Sequence, residues 1–317
     1  MEIPDYQDII AAHKRIREYI HRTPVLNSRT LNFMSGADVF FKCENFQKVG
    51  AFKFRGAVNS VFSLGPDEAS RGVATHSSGN HAQALALAAL LRGTRATIVM
   101  PETSPSIKKK AVAGYGANIV YCRPTLEARE TTLEEVVSDT GATFIHPYDN
   151  YNVIAGQGTA ARELLEDYLY LDVIITPVGG GGLLSGTSIA ARAIKPDIEI
   201  IAAEPAGADD AYRSFKSGEW VPSVDPDTIC DGLLTSLSGR TFEIIRDKVD
   251  DIITVSEDSI KESLRLICER MKIVIEPSAA VGYAAILENK ERFAGKKVGV
   301  ILSGGNIDLH KLSNILS

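Results

Sequence analysis

The stretch Asp172-Val173-Ile174-Ile175-Thr176-Pro177-Val178-Gly179-Gly180-Gly181-Gly182-Leu183-Leu184-Ser185-Gly186 decides the fold. A β-branched apolar run ends in four glycines and passes directly into a helical pattern. It reads as a buried strand over 172–178, a tight turn, and a helix over 183–194. The apolar run at 199–203 adds a second strand, and strands joined through a helix are parallel. Toward the amino terminus, 72–75, 96–100, 118–122 and 143–146 read as strands, alternating with helices over 82–91, 106–114 and 126–139. Such alternation implies a parallel sheet covered on both faces. A helix over 157–168 precedes the deciding stretch, and helices over 259–271 and 279–289 lead to a last strand, 297–302. Before residue 71 lie a helix (6–20), a strand (38–42) and a helix (54–62), too little for a core of their own. The expectation is an α/β fold with two open parallel-sheet domains. Residues 1–71 and 150–317 form the large one, and 72–149 form a smaller inserted one, because chain termini usually lie together on the larger core. A length of 317 residues fits two such units.

Composition removes several function classes. Lys and Arg total 34 against 40 Asp and Glu, a formal charge of −6, so nothing draws the chain as a whole to nucleic acid or an anionic membrane. The longest plain apolar run, 84–91, falls far short of the roughly 18 residues of a membrane span. The opening Met1-Glu2-Ile3-Pro4-Asp5 is acidic and broken by proline, unlike a secretory signal, so the expected compartment is the cytoplasm. Cys43, Cys122, Cys230 and Cys268 are too scattered for a disulfide framework and read as free thiols. The histidines show no zinc-ligand spacing.

Four glycines remove every Cβ where the chain turns into a helix. Backbone N–H groups can then converge on an anion at the positive helix end, a phosphate cup; a bare tight turn is the plainer alternative. The run lacks the Gly-x-x-x-x-Gly-Lys-Ser/Thr of a nucleoside-triphosphate loop. It is not Gly-x-Gly-x-x-Gly either, yet Glu204 stands about 20 residues on, where a dinucleotide enzyme holds its ribose. A NAD-dependent oxidoreductase therefore stays open, as does a binding module without turnover. Gly156-Gln157-Gly158-Thr159-Ala160-Ala161 matches Gly-x-Gly-x-x-Ala but follows Asn150-Tyr151-Asn152, which reads as a loop. Helix packing accounts for its small residues. His76-Ser77-Ser78-Gly79-Asn80-His81 is a second strand-to-helix turn, suited to helix capping and to a carboxylate on its N–H groups. Ser303-Gly304-Gly305-Asn306 closes the last strand. All three turns sit at carboxyl ends of strands, where open α/β sheets bind ligands. Lys53, between Phe52 and Phe54, is either a desolvated amine suited to Schiff-base chemistry or a lysine at the solvated edge of a helix. Asp209 and Asp210 either cap the helix through Tyr212 or, with Glu204, hold Mg²⁺ or Ca²⁺. Lys108-Lys109-Lys110 reads as a solvated helix face.

Taken in order, seven segments resemble the fold-type II pyridoxal-phosphate enzymes of the serine racemase and threonine dehydratase family, nearly end to end. They are Ala51-Phe52-Lys53-Phe54-Arg55-Gly56, Ser77-Ser78-Gly79-Asn80-His81, Gly156-Gln157-Gly158-Thr159, Gly179-Gly180-Gly181-Gly182, Ala203-Glu204-Pro205, Glu276-Pro277 and Ser303-Gly304-Gly305-Asn306. The resemblance implies a tryptophan synthase β-like fold, pyridoxal 5′-phosphate (PLP) as cofactor, a small amino-acid substrate and a homodimer. It makes Lys53 the Schiff-base lysine and Gly179, Gly180, Gly181 and Gly182 the phosphate cup. It also makes Asn80 the partner of the pyridoxal 3′-oxygen and Ser303 that of the pyridine nitrogen. The turn of Ser77, Ser78, Gly79, Asn80 and His81 would bind the substrate α-carboxylate. Threonine dehydratases typically have Ser-Ala-Gly-Asn here, whereas serine racemases and hydroxyaspartate dehydratases have Ser-Ser-Gly-Asn, as this chain does. Ser78 would then face Lys53 across the substrate. Protons move on both faces of Cα, giving racemisation of serine together with its α,β-elimination to pyruvate and ammonia. The nearest alternative is a dehydratase of threo-3-hydroxyaspartate or L-threonine. Glu204, the Ala208 carbonyl and Asp210 resemble the racemases' divalent-cation site, whose oxygen ligands suit Mg²⁺, Mn²⁺ or Ca²⁺. Arg129 stands where the family has an arginine that reaches a second carboxylate. Lys272 and Asn306 resemble part of an ATP site between subunits, whereas Arg29 departs from the hydroxylic residue the racemases carry there.

Overall fold

The structure, a computed structural model, describes residues 3–104 and 106–316; Met1 and Glu2 of the opening stretch, and Ser317 of the expected large domain, lie outside the described residues. Ten strands are present among them: β1 (Val25–Leu26), β2 (Asp38–Cys43), β3 (Val73–His76), β4 (Ala96–Pro101) and β5 (Asn118–Cys122). They continue with β6 (Thr143–Phe144), β7 (Val173–Pro177), β8 (Glu199–Pro205), β9 (Asp251–Val255) and β10 (Lys297–Leu302). One sheet has the order β1-β2-β10-β7-β8-β9, parallel except for β1. The other has the order β5-β4-β3-β6 and is parallel throughout. The fold is that of two open parallel sheets, as the alternation of strands and helices required.

The apolar runs are continuous because both faces of each sheet are covered. Along β7, Val173 and Ile175 point into one core with Tyr283 and Phe293, while Ile174 points into the other with Leu164 and Leu184. Along β10, Val298, Val300 and Leu302 alternate in the same way with Ile301. The core beside the small sheet includes Val73, Ile98 and Met100, and also Phe54, Ala57, Val58 and Val61 from the helix Lys53–Ser63. This helix therefore serves both halves of the molecule.

Several boundaries differ from expectation. The helix expected at 157–168 runs Tyr151–Asp167, because the Asn150 side chain accepts the Val153 N–H and starts it early. Gly156 and Gly158 are consequently mid-helix residues, where the missing Cβ atoms let the backbones at Arg55 and Gly186 come close. The first helix ends at Ile16 rather than 20. β6 stops at Phe144, since beyond it the His146 ring accepts the N–H groups of Tyr148 and Asp149 and turns the chain away. β1 and β9 were not legible. Lys108 and Lys109 are not simply solvated: Lys108 pairs with Asp231 at 3.2 Å, and Lys109 donates to the Glu102 carbonyl. No helix among the described residues is long and apolar enough to cross a membrane.

Candidate active site

Three turns at carboxyl ends of strands meet around Lys53. The segment before it is stitched to the turn after β10: Phe52 N–H donates to the Ser303 carbonyl at 3.0 Å, and Gly305 N–H donates to the Gly50 carbonyl at 2.9 Å. Ala51 and Gly304 form a bridge between these segments. Lys53 opens the helix Lys53–Ser63 and is half-buried, its Nζ donating to the Pro147 carbonyl at 3.0 Å. The amine also lies 5.1 Å from the Phe52 ring centroid and 6.0 Å from that of Tyr148. Burial strips the ammonium of water and pulls its pKa down to about 8, against the opposing charge of Glu276. The desolvated-amine reading of Lys53 thus gains a physical basis.

The glycine run lies next to this lysine. Gly181 has φ +85, a backbone conformation that favours glycine, and a Cβ on Gly180 would overlap the Tyr148 ring. The helix Gly182–Ile194 starts here without a side-chain cap, and the N–H groups of 180–184 find no acceptor among the described residues. Unpaired donors at the positive end of a helix are what a phosphate needs. A glycine on every position of the turn leaves room for it.

The turn after β3 is also uncapped. Gly79 precedes the helix Asn80–Arg92 and neither serine caps it, so the expected Ser or Asn cap does not form. Ser77 N–H donates to Val99 O and Ser77 Oγ accepts from Gly79 N–H at 3.4 Å, which leaves the first N–H groups of the helix for an anion. The His81 ring points away: it is buried, its Nε2 meets Ile145 O at 3.0 Å, and burial with the neighbouring Lys53 charge lowers its pKa to about 3. The other ring nitrogen, Nδ1, is buried with no hydrogen-bond partner among the described residues. Asn80 Nδ2 donates to both Glu276 oxygens (3.0 and 3.2 Å), and its Oδ1 accepts from Asn306 at 2.8 Å. Asn306 also donates to Val49 O, so its side chain is committed inside the site. Lys272 is exposed, and no hydrogen bond joins it to Asn306 among the described residues.

Glu276 enters the sequence reading only within the segment Glu276-Pro277 and with no role, yet it lies in the site, where Asn80 donates to it. It is buried at the start of the helix Pro277–Glu288, and burial raises its carboxyl to about 7 against the Asn80 hydrogen bond. A carboxylate just after the apolar Ile273-Val274-Ile275 and before a helix-starting proline was the available signal.

Glu204 and Asp210 lie behind the glycine cup. Glu204 is fully buried and accepts the N–H groups of Ala211 and Tyr212 at 3.0 and 2.8 Å, so it is Glu204, not Asp209 or Asp210, that caps the helix Asp210–Ser217. That capping leaves it no reach to a ribose. Among the described residues neither Asp210 oxygen completes a hydrogen bond, though Ser223 and the Leu237 backbone lie close. Burial pushes the two carboxyls up, to about 9 for Glu204 and about 6 for Asp210. Of the two buried acids only Asp210 has unpaired oxygens, since both Glu204 oxygens accept helix N–H groups; a buried, unpaired carboxyl beside a second acid fits an oxygen-liganded divalent cation. The Leu237 side chain touches the space over Gly181. Among the described residues no group of three His, Cys, Asp or Glu side chains is placed to hold a metal. Arg129, on the helix Leu126–Thr140, lowers the pKa of His76, which burial lowers first; its Nε is buried without a partner among the described residues.

Residues 16–304 match the sequence profile of the family described as pyridoxal-phosphate dependent enzyme. The chain belongs to that family. It is 53% identical over 315 residues to a serine racemase of Dictyostelium discoideum, covering 98% of this chain and 97% of that protein. It is 51% identical to a β-hydroxyaspartate dehydratase of Paracoccus denitrificans, covering 98% and 99%. A crystal structure of serine racemase from Dictyostelium discoideum superposes with a TM-score of 0.94 at 53% identity, over 97% of this chain and 100% of that one. A pyridoxal-phosphate dependent enzyme, with Glu204 buried as a helix cap, is not the nicotinamide oxidoreductase that the glycine run left open.

Proposed function

We propose that this chain is a PLP-dependent serine racemase that also catalyses the α,β-elimination of serine to pyruvate and ammonia. The observation that carries the proposal is the half-buried Lys53 amine between two uncapped helix starts, one suited to a phosphate and one to an α-carboxylate. Residues 1–71 and 150–317 would make the cofactor-bearing domain and 72–149 the smaller one. Gly179, Gly180, Gly181 and Gly182 hold the cofactor phosphate through main-chain N–H groups, and Ser303 meets the pyridine nitrogen. Asn80 has two amide hydrogens, of which Glu276 needs one, so the other serves the 3′-oxygen. The Ser77 to His81 turn orients the substrate carboxylate. The chemistry PLP supplies when bound is an electron sink at the substrate Cα. Lys53, whose lowered pKa lets it act as a base near neutrality, moves the proton on one face of Cα. Ser78 moves it on the other. Glu204, the Ala208 carbonyl and Asp210 hold a divalent cation.

The resemblance further supports a homodimer and an ATP site at Lys272 and Asn306, and the free Cys43, Cys122, Cys230 and Cys268 fit a cytoplasmic protein. A second reading, dehydration of threo-3-hydroxyaspartate, draws support from the unpartnered Arg129 Nε and from a dehydratase relative nearly as similar as the racemase. The deciding experiment supplies L-serine, D-serine, L-threonine and threo-3-hydroxyaspartate and follows 2-oxo acid and substrate chirality together. Conversion of L- to D-serine with pyruvate release is expected. Hydroxyaspartate turnover with no D-serine at any time would overturn the proposal in favour of the second reading.

A further inference from the structure

Lys53 begins its helix under unusual conditions. Phe52 before it has helical φ and ψ and caps nothing with its side chain, and Val49 and Gly50 just upstream both have positive φ. The first turn therefore has no side-chain cap, and the backbone bonds of 50–52 to the turn after β10 hold only the residues before it. Two residues on, Arg55 holds the turn itself. At 100° per residue, positions 53 and 55 face nearly opposite sides of the helix. The Arg55 side chain is fully buried and gripped on two edges of its guanidinium. Glu44 accepts from Nε at 2.7 Å and Nη2 at 2.8 Å, while Glu163 accepts from Nη1 and Nη2, both at 2.8 Å. Thr159 Oγ1 takes a further bond from Nη1 at 3.1 Å. Lys42, also fully buried, pairs with Glu163 at 2.7 Å, so two cations face two carboxylates and the cluster is neutral. Burial opposes the charge on Glu163, but Arg55 and Lys42 outweigh it and hold the carboxyl at about 2.

The grip joins three elements. Glu44 directly follows β2, Glu163 lies on the helix Tyr151–Asp167, and that helix begins just after Pro147, whose carbonyl holds the Lys53 amine. An arginine clamped on two edges cannot rotate, and the helix cannot turn about its axis without it. A lysine here would satisfy one carboxylate and leave the other short of donors.

We infer that Arg55 is the positioning residue for Lys53: its double carboxylate clamp sets the rotation of the first helical turn and so aims the amine into the cofactor site. The inference rests on the proposed covalent role of Lys53. Its test uses the holoenzyme, stripped of PLP and reloaded, in wild type, Arg55→Lys and the charge-balanced Arg55→Met/Glu44→Gln, which retains the neutral Lys42 and Glu163 pair. PLP affinity, the pH midpoint of cofactor uptake and thermal unfolding are measured for each. A misplacement of about 1 Å costs about 10²-fold at a reacting centre, so turnover should fall by that order. PLP should bind at least tenfold more weakly, and the uptake midpoint should shift in both variants, with Arg55→Lys closer to wild type. Variants that unfold earlier but keep wild-type PLP affinity and the same midpoint would show a purely structural cluster and overturn the inference. Reductive trapping in the wild type separates the two claims: cofactor linked to a lysine other than Lys53 defeats the functional proposal itself, whatever the Arg55 variants do.

Discussion

Gly156→Ala puts a single methyl where the Lys53 helix and the helix Tyr151–Asp167 cross. The added Cβ would lie 2.6 Å from the Arg55 carbonyl oxygen and 2.7 Å from the Gly56 Cα. Ordinary contact starts at 3.4 Å, so the backbones must part by about 3.4 − 2.6 = 0.8 Å. Both obstructing atoms are main chain, and no side chain can swing aside. Overpacking of this kind costs about 1–3 kcal/mol. The better helix propensity of alanine returns about 1 kcal/mol, so the protein should remain folded. The catalytic effect is larger than the loss of stability implies. Lys53 is two residues from the displaced Arg55 carbonyl, and a shift approaching 1 Å in a catalytic group costs about 10²-fold. Pyruvate formation from L-serine should therefore fall by about two orders of magnitude while thermal unfolding moves only modestly. Gly114→Ala, on a helix where the new Cβ meets nothing within 4 Å, serves as the control and should leave turnover unchanged. Full turnover by Gly156→Ala would mean that this crossing does not position the lysine.

Ser78→Ala should abolish L- to D-serine conversion and D-serine elimination by about 10²- to 10⁴-fold, while L-serine elimination persists because Lys53 works on that face. Equal losses in all three assays would reduce Ser78 to a carboxylate binder. Cofactor uptake by the stripped enzyme should rise with pH and level off above about 8, since the neutral amine is the nucleophile and burial has lowered its pKa from the 10.5 of a free lysine. An uptake rate still climbing near 10.5 would show a solvated amine. Glu204 and Asp210 have folded pKa values above their usual range, so their charged forms disfavour folding, and metal-free protein should lose stability as pH rises toward about 6 and then about 9. EDTA should accordingly lower the unfolding temperature more on the alkaline side of that range than on the acid side. A thermal midpoint indifferent to EDTA at both ends would remove the cation.

The strands β7, β8, β10, β3 and β4 were legible because each is a short, largely buried apolar run, and β5, at the edge of its sheet and mostly unburied, was legible from Ile119 and Val120. β1 spans only two residues; β9, five residues long like β7, begins three residues after the helix Gly239–Lys248 and opens on the acidic pair Asp250-Asp251, which masks the apolar run behind it. The three ligand turns could be read because glycine, serine and asparagine cluster where strands end. What lay hidden was pairing across the chain. That Asn80 links Glu276 to Asn306, or that Arg55 meets Glu44 and Glu163, depends on contacts between residues up to 226 positions apart, which no local spacing encodes. Glu204 shows the reverse error. Its distance from the glycine run invited a ribose, yet its carboxylate is spent on the N–H groups of Ala211 and Tyr212.

The central claim is that Lys53 carries the cofactor. The direct measurement is borohydride reduction of the PLP-loaded enzyme, followed by digestion and mass spectrometry of the modified peptide. The account predicts a pyridoxyl group on Lys53 alone, and no trapped cofactor in Lys53→Ala. Trapping on any other lysine, or undiminished trapping in Lys53→Ala, would contradict it.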